Sequence, residues 1–263
     1  MNDAQPRALD AAQIKSFITD GFVRIGDAFS GETAAAARTI LWQRMGLSPD
    51  APSGWSEPVI RLGHFSDPPF VAAANTPALH AAYDSLVGSG RWLAPKALGT
   101  FPVRFPSERE PGDDGWHVDA SFGTEDPAFL NWRINVVSQG RALLMLFLFS
   151  DIGEDDAPTR IRAGSHRLIA RRLLPYGHNG LSLGELAADG FAGSETCPQV
   201  SATGRAGTVY LCHPFLVHAA QRHRGAAPRF LAQPPLLPTR AFDPALPPSP
   251  VQIAIREACG LTF

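Results

Sequence analysis

The sequence predicts a mainly β fold, a sandwich or a jelly roll, with helices at its N-terminal end. Helical spacing of apolar residues is confined to about residues 8–95, and short apolar or β-branched runs occupy about residues 97–235. Gly and Pro, 24 of each, separate these runs. Many short strands with turn signals between them are typical of such architectures. Because no repeat and no linker interrupts the pattern, we expect one domain over residues 1–263.

The N-terminal region predicts three helices. The first begins at Asp10 and Gln13, which have the spacing of a capping box, and apolar residues then recur at helical intervals. A short strand is expected over residues 22–25. The second and third helices are predicted over about residues 32–45 and 77–87.

The following region predicts strands. The candidates, in chain order, are residues 100–105, 133–138, 142–149, 159–162, two halves of 207–220 divided by Pro214, and 229–232. Residues 142–149 are apolar without interruption, so we expect a strand that is buried on both faces. The prolines in residues 246–250 indicate an irregular C-terminal tail.

Composition excludes several classes of function. The net charge is −2 and no long run of Lys or Arg occurs, which argues against a nucleic-acid partner. The N-terminus lacks the apolar stretch of a signal peptide, and the longest apolar run is too short to cross a bilayer. Three cysteines without C-x-x-C spacing fit a reducing compartment. We therefore expect a cytoplasmic protein, a monomer or a homodimer, without a membrane or nucleic-acid partner.

A candidate metal site begins in GWHVDASFG, residues 115–123. On a strand, residues i and i+2 share a face, so His117 and Asp119 can point to one spot. A single His-x-Asp pair also arises easily by chance. Because two ligands do not hold a metal securely, a facial triad requires a second histidine from elsewhere in the chain.

Residues 210–230 offer three histidines for this position. His218 lies in the apolar, strand-like PFLVHAA, where a buried imidazole needs a polar partner or a metal. His213 has the opposite strand parity to His218, so we expect it to be a structural, hydrogen-bonded histidine. His223 stands among Gln and Arg residues and is expected in a solvated loop. His218 is therefore the preferred third ligand.

Two arginines are candidates for binding a carboxylate. Arg229 follows His218 by eleven residues and has apolar neighbours, and its planar guanidinium is suited to bidentate carboxylate binding. A surface arginine on an edge strand is the alternative. Arg104 lies on the strand before the His-x-Asp pair and is a candidate for contact with substrate or co-substrate.

Together these residues resemble the phytanoyl-CoA dioxygenase family of Fe(II)/2-oxoglutarate oxygenases. That family holds its metal with His-x-Asp and a distal His, and an Arg eleven residues after that His binds 2-oxoglutarate. The stretches IKSFITDGFVRIGDAFS, APTRIRAGSHR and GTVYLCHPFLVHAA are also similar to the family, so the resemblance covers about residues 12–232. It implies a double-stranded β-helix core, cupin-like, with the N-terminal helices packed against it.

The resemblance implies a site and a reaction. Fe(II) would be held by His117, Asp119 and His218, and the distal carboxylate of 2-oxoglutarate by Arg229, with Arg104 as a further cofactor-binding residue. The implied reaction consumes O2, hydroxylates an unactivated carbon of a small molecule, and releases succinate and CO2. Related halogenases have a small residue at the position of Asp119, so this carboxylate favours hydroxylation. Aromatic residues expected to line the pocket are Trp116, Phe122, Phe129 and Trp132.

Other polar residues near these motifs have simpler interpretations. Arg61 and His64 are expected in a surface loop, and Arg160 and His166 as structural residues of a turn.

The chain departs from the family pattern at three positions. Ala163 replaces a proline, Thr208 replaces an aspartate, and Ala220 replaces a serine that helps several members to hold 2-oxoglutarate. The alternative function is therefore a metal-binding protein with the oxygenase fold but no turnover, a sensor or a scaffold. A zinc hydrolase is a second alternative, but it would leave Arg229 unexplained.

Overall fold

The computed structural model describes residues 8–242 and 245–261. The outer ends of the expected domain, residues 1–7 and 262–263, therefore lie outside the described residues. Within the described part, a core of short antiparallel strands is flanked by helices from both ends of the chain. This is the predicted mainly β fold with a jelly-roll core.

The helices of the described chain lie mostly before and after the strands. They are α1 (Ala11–Asp20), α2 (Gly31–Met45), α3 (Pro68–Ala74), α4 (Pro77–Val87), α5 (Ser165–Leu173), α6 (Leu183–Ala187) and α7 (Pro250–Cys259). The first helix has the predicted capping box, since the side chain of Asp10 accepts from the backbone N–H of Gln13 and the Gln13 side chain accepts in return. Within the described ranges, every helix falls short of the length and apolarity that a membrane crossing requires.

The strands are short. They are β1 (Phe22–Ile25), β2 (Val59–Leu62), β3 (Phe101–Arg104), β4 (Arg133–Ile134), β5 (Leu143–Leu148), β6 (Arg160–Arg162), β7 (Leu181–Ser182), β8 (Gln199–Ser201), β9 (Val209–Cys212), β10 (His218–Ala219), β11 (Leu231–Ala232) and β12 (Pro235–Leu236). The larger sheet has the order β1-β9-β5-β11, with β12 also paired to β5. A smaller sheet has the order β10-β6-β8, and β2 pairs with β3, and β4 with β7.

Strand β5 is buried on both faces, as its unbroken apolar sequence predicts. Leu144, Leu146 and Leu148 pack in a cluster with Ile161 of β6, which lies in the smaller sheet. The alternate residues of β5 pack on the other side, in a cluster that includes the buried side chains of α1 to α4. The larger sheet is therefore the middle layer between the smaller sheet and the helices.

Two of the predicted elements are wrong. The strand expected over 133–138 ends at Ile134, because the chain turns and Ser138 adopts a positive φ of 47°. The C-terminal tail is not irregular beyond residue 249, because α7 begins there. Its N-cap is Ser249, and proline at the first helical position is compatible with a helix. The apolar face of α7 packs against α1 and α5.

Candidate metal centre

His117 and His218 meet through their backbones. The N–H of each residue donates to the carbonyl of the other at 2.9 Å, so the two form a closed antiparallel pair. Their ring centroids are 4.3 Å apart. Asp119 follows two residues later and points to the same spot, as strand alternation predicts. The structure thus brings together the three predicted ligands from segments about a hundred residues apart in sequence.

The two imidazoles are oriented for metal binding. Nδ1 of His117 lies 3.0 Å from the Gly115 carbonyl, and Nδ1 of His218 lies 3.0 Å from the Leu216 carbonyl. Each Nδ1–H therefore donates to the backbone, which leaves the lone pair of Nε2 for a metal. Nε2 of His117 is 3.9 Å and Nε2 of His218 is 3.8 Å from Oδ1 of Asp119. Since metal–ligand bonds are about 2.0–2.2 Å, one ion fits among these atoms.

The electrostatics of the cluster favour the metal-binding protonation states. Burial lowers the pKa of His218 to about 4, so its imidazole is neutral at neutral pH. Burial alone would raise the pKa of Asp119, but its polar surroundings, the positive charge of Arg141 first among them, outweigh that effect and lower it. A neutral imidazole and an ionised carboxylate are the forms that bind a metal.

Arg141 fixes the carboxylate ligand. Its Nη1 lies 3.2 Å from Oδ2 of Asp119, and its Nε and Nη2 donate to the carbonyl of Ala120 at 3.2 and 3.0 Å. One carboxylate oxygen is therefore held by the arginine, while Oδ1 faces the histidines. Sequence reasoning missed Arg141, although an arginine directly before an unbroken apolar strand was a signal that it needs a buried partner.

Gln233 is a second residue that the sequence did not indicate. Its Nε2 lies 2.8 Å from Nε2 of His218, and its backbone N–H donates to the carbonyl of Thr100 at 3.0 Å. An amide N–H that donates to Nε2 requires a lone pair there, which agrees with a proton on Nδ1 of His218. The side chain also reaches Asp119 and contributes to the lowered pKa of that carboxyl.

Arg229 and Arg104 lie side by side and line the same cavity as the three candidate ligands. Their backbones pair at 2.8 and 3.1 Å, and both side chains are buried. Arg229 donates to the carbonyls of Ala157 and Pro102 at 2.6 and 3.1 Å, and its Nε has no partner among the described residues. Burial, and then the charge of Arg104, lower the pKa of Arg229 well below its usual value. The surface-arginine alternative for Arg229 is therefore wrong.

Asp113 supplies the negative charge beside Arg104. Its Oδ1 accepts from Arg104 at 2.6 Å, and its Oδ2 contacts Arg61. The Nε of Arg104 is also unpartnered in the part of the chain that is described. Asp113 is thus shared by the buried Arg104 and the largely exposed Arg61, while the buried Arg229 has no carboxylate partner among the described residues. Arg61 belongs to β2 and lines the cavity, so its assignment to a surface loop was wrong.

The metal ligands and both buried arginines open into one cavity of about 770 Å³. Three of the four predicted aromatics line it, namely Trp116, Phe129 and Trp132, whereas Phe122 lies outside it. Ala220 also lines the cavity, at the position where the family serine was expected. His64 lies at the cavity wall and is exposed.

The remaining histidines are structural. His213 is fully buried, accepts from the N–H of Phe215 at 3.1 Å, and lies 3.3 Å from the carbonyl of Val251, which confirms the prediction. His223 was expected in a solvated loop, but it is buried and lies 2.8 Å from the carbonyl of Ala227. His166 is buried on α5 and Arg160 lies on β6, so both are structural but neither belongs to a turn.

Two histidines and a carboxylate that face an open cavity are the ligand set of the non-haem Fe(II) oxygenases. The comparison with known families agrees with this class. The model of the phytanoyl-CoA dioxygenase family (PhyH) matches residues 57–231, and the chain belongs to that family. A search of curated proteins by sequence gave no match.

Solved structures share the fold. HygX from Streptomyces hygroscopicus, solved with nickel and 2-oxoglutarate, has a TM-score of 0.57 at 21% identity and covers 88% of each chain. EctD from S. alaskensis, solved with 2-oxoglutarate and 5-hydroxyectoine, has a TM-score of 0.56 at 21% identity, with 92% of this chain and 78% of that chain covered. The carbocyclase SnoK from nogalamycin biosynthesis has a TM-score of 0.55 at 17% identity and covers 92% of each chain. At these identities the likeness shows the jelly-roll fold.

Proposed function

We propose that the protein is a non-haem Fe(II)- and 2-oxoglutarate-dependent dioxygenase that hydroxylates an unactivated carbon of a small molecule. The observation that carries this proposal is the convergence of His117, Asp119 and His218 in the cavity that also holds Arg229. Family membership supports the same chemistry. HygX and EctD, which share the fold, were solved with 2-oxoglutarate bound.

The residues of the site fit both iron and 2-oxoglutarate. Iron would be held by Nε2 of the two histidines and by Asp119, and it would supply the activation of O2 coupled to oxidation of 2-oxoglutarate to succinate and CO2. The distal carboxylate of 2-oxoglutarate would lie against the free Nε–H of Arg229, with Arg104 adjacent. That carboxylate and Asp113 together would offset the charges of the two buried guanidinium groups, whereas Arg61, which also contacts Asp113, is largely exposed to solvent.

The chain's own residues then perform three tasks. Arg141 holds Asp119 in place, and the carbonyls of Gly115 and Leu216 fix the tautomer of the histidines. Arg229 and Arg104 orient the co-substrate. The buried side of the cavity limits the access of water to the reacting centre. Because Asp119 occupies the carboxylate position, we favour hydroxylation over halogenation.

Metal and co-substrate binding test the proposal directly. Calorimetric titration under anaerobic conditions should show one Fe(II) site that is lost in Asp119→Ala. Arg229→Ala should retain Fe(II) and weaken 2-oxoglutarate binding by about tenfold to a hundredfold, because one charge-assisted contact is worth about 1.5–3 kcal/mol. Arg172→Ala is the matched control, since this arginine also contacts carbonyls and a carboxylate but lies outside the cavity.

Turnover distinguishes the alternatives. With iron, 2-oxoglutarate and O2, the wild type should release succinate slowly even without substrate, and Asp119→Ala should not. Iron and 2-oxoglutarate binding without succinate release, across a broad panel of substrates, would support the sensor or scaffold alternative. If Arg229→Ala left the 2-oxoglutarate affinity unchanged, the assignment of the co-substrate site would be wrong.

A further inference from the structure

The cavity has two walls of opposite character. One wall, which we call the charged wall, consists of Arg61, Arg104 and Asp113 from β2, β3 and the segment after β3, with Arg229 from the segment before β11. The other wall comes from the segments 116–132 and 183–191. We call it the apolar wall, and it consists of Trp116, Phe129, Leu130, Trp132, Leu183 and Phe191.

Contacts between its members show that the apolar wall is one continuous surface. The rings of Phe129 and Trp132 meet edge to face at 5.1 Å. The carbonyl of Trp132 accepts from the N–H of Leu183 at 2.8 Å. Leu130 lies against the backbone of Gly184, so α6 supports the segment 129–132. The wall is therefore built by packing between two segments that are far apart in sequence.

The two tryptophan rings of this wall are held by contacts inside the protein. The indole N–H of Trp132 donates to the carbonyl of Asp126 at 2.7 Å, so the ring presents only carbon atoms for a ligand. The ring of Trp116 is covered by two guanidinium groups, with Cζ of Arg162 at 4.1 Å and Cζ of Arg160 at 4.8 Å from its centroid. Trp116 is thereby fixed in orientation beside the metal ligand His117.

The charged groups of the cavity also have partners already. Arg61 and Arg104 contact Asp113, and Arg141 contacts Asp119. Arg229 is assigned to the co-substrate. Among the described residues that line the cavity, only the exposed His64 remains as an ionisable group for a substrate, and it follows β2 on the charged wall. A charged substrate group against the apolar wall would lose its hydration without gaining a counter-charge.

Two members of the apolar wall are exposed to an unusual degree. Phe129 is 56% and Leu130 is 58% accessible, although both are large and apolar. Exposed apolar side chains that rim a concave site are typical of a ligand-binding surface. Their burial by an apolar ligand contributes about 25 cal/mol per Å².

We propose that the substrate is a neutral, largely hydrophobic molecule whose carbon skeleton lies on the apolar wall, between Trp116 and the rim formed by Phe129 and Leu130. This inference rests on the proposed function, because it places the carbon to be oxidised beside His117. The volume of about 770 Å³ is of the size that binds a drug-sized ligand. The charged wall is left to 2-oxoglutarate.

Three probes with one carbon chain test the proposal: decanol, decyl sulfate and decyltrimethylammonium. Neither charged head group is a strong metal ligand, so metal coordination does not confuse the comparison. Binding is measured by calorimetry to the protein loaded with Ni²⁺ and saturating 2-oxoglutarate. Decanol should bind at least about tenfold more tightly than either ion. Equal or tighter binding of a charged probe, or no binding of decanol, would overturn the proposal.

Variants locate the binding surface. Phe129→Ala with Leu130→Ala should weaken decanol binding by about tenfold and leave 2-oxoglutarate affinity unchanged. Leu93→Ala is the control, because Leu93 is 49% accessible but lies outside the cavity. If the double variant binds decanol as well as the wild type does, the apolar wall is not the substrate surface. If the wild type itself fails to bind Ni²⁺ or 2-oxoglutarate, the result counts against the proposed function and not against the substrate surface alone.

Discussion

Arg141 offers the sharpest test of how the metal centre is held. The substitution Arg141→Met keeps a long side chain two residues before β5 but removes the contact with Oδ2 of Asp119 and both contacts with the Ala120 carbonyl. Arg141→Lys keeps the charge but loses the planar arrangement of donors. Comparison of the two variants separates the role of the positive charge from the role of the hydrogen-bond geometry.

The expected magnitude follows from these contacts. Removal of one partner from a fully buried ion pair costs about 3–5 kcal/mol, and the loss should be smaller here because the side chains of Arg141 and Asp119 are 12% and 21% exposed. An outer contact to a metal ligand is worth about tenfold to a hundredfold in metal affinity. The arginine also holds the pKa of Asp119 below its usual value, against the effect of burial. Without it, the pKa of that carboxyl rises. Since a protonated carboxyl does not bind metal, the pH midpoint of metal binding should move upward in Arg141→Met.

Two assays measure these effects. Thermal unfolding of the apoprotein reports stability, and titration with Ni²⁺ at several pH values reports affinity and its midpoint. In Arg141→Lys we expect the pH midpoint of metal binding to lie between those of Arg141→Met and the wild type, and the Ni²⁺ affinity to stay below that of the wild type. Arg172→Met is the control, because Arg172 also contacts carbonyls and a carboxylate yet lies outside the cavity. An unchanged Ni²⁺ affinity and pH midpoint in Arg141→Met would refute the positioning role.

Three further predictions concern the surroundings of the site. Gly140→Ala should cost at least about 3 kcal/mol of folding stability and weaken metal binding, because the new Cβ would lie 2.1 Å from the carbonyl oxygen of Ser121. Gly46 has a similar positive φ but open space around it, so the control Gly46→Ala should cost only about 1 kcal/mol when both variants are unfolded in urea. Burial lowers the pKa of His166 to about 4, so the unfolded chain takes up its proton first as the pH falls. This histidine should therefore contribute up to about 3 kcal/mol to the drop in the free energy of unfolding between about pH 6.5 and pH 4, and His166→Gln should show a smaller drop in urea melts at the two pH values. Ala220→Ser adds a hydroxyl to the cavity wall and should lower the 2-oxoglutarate concentration needed for half-maximal succinate release by about fivefold, whereas an unchanged value would place the co-substrate away from Ala220.

Local sequence patterns were sufficient wherever one segment decided the outcome. The capping box of α1, the bounds of β1 and α4, and the burial of β5 on both faces follow from spacing and from apolar periodicity. The same reasoning failed at α7, where the prolines suggested irregular structure. The capping box of Ser249 and Gln252 was a visible signal for that helix.

The sequence by itself determined the jelly-roll class and the choice of His117, Asp119 and His218, because order, spacing and strand alternation are local properties that a resemblance to the family makes specific. Tertiary structure alone decided what surrounds them. Arg141, Gln233 and Asp113 carry no motif, and their roles depend on which distant side chain folding brings within hydrogen-bond distance. The two walls of the cavity also depend on tertiary contacts, since α6 and the segment 129–132 form the apolar wall only by packing together. Contacts between segments far apart in sequence produce no periodic pattern in the sequence, and for this reason the proposed substrate surface was visible only in the folded chain.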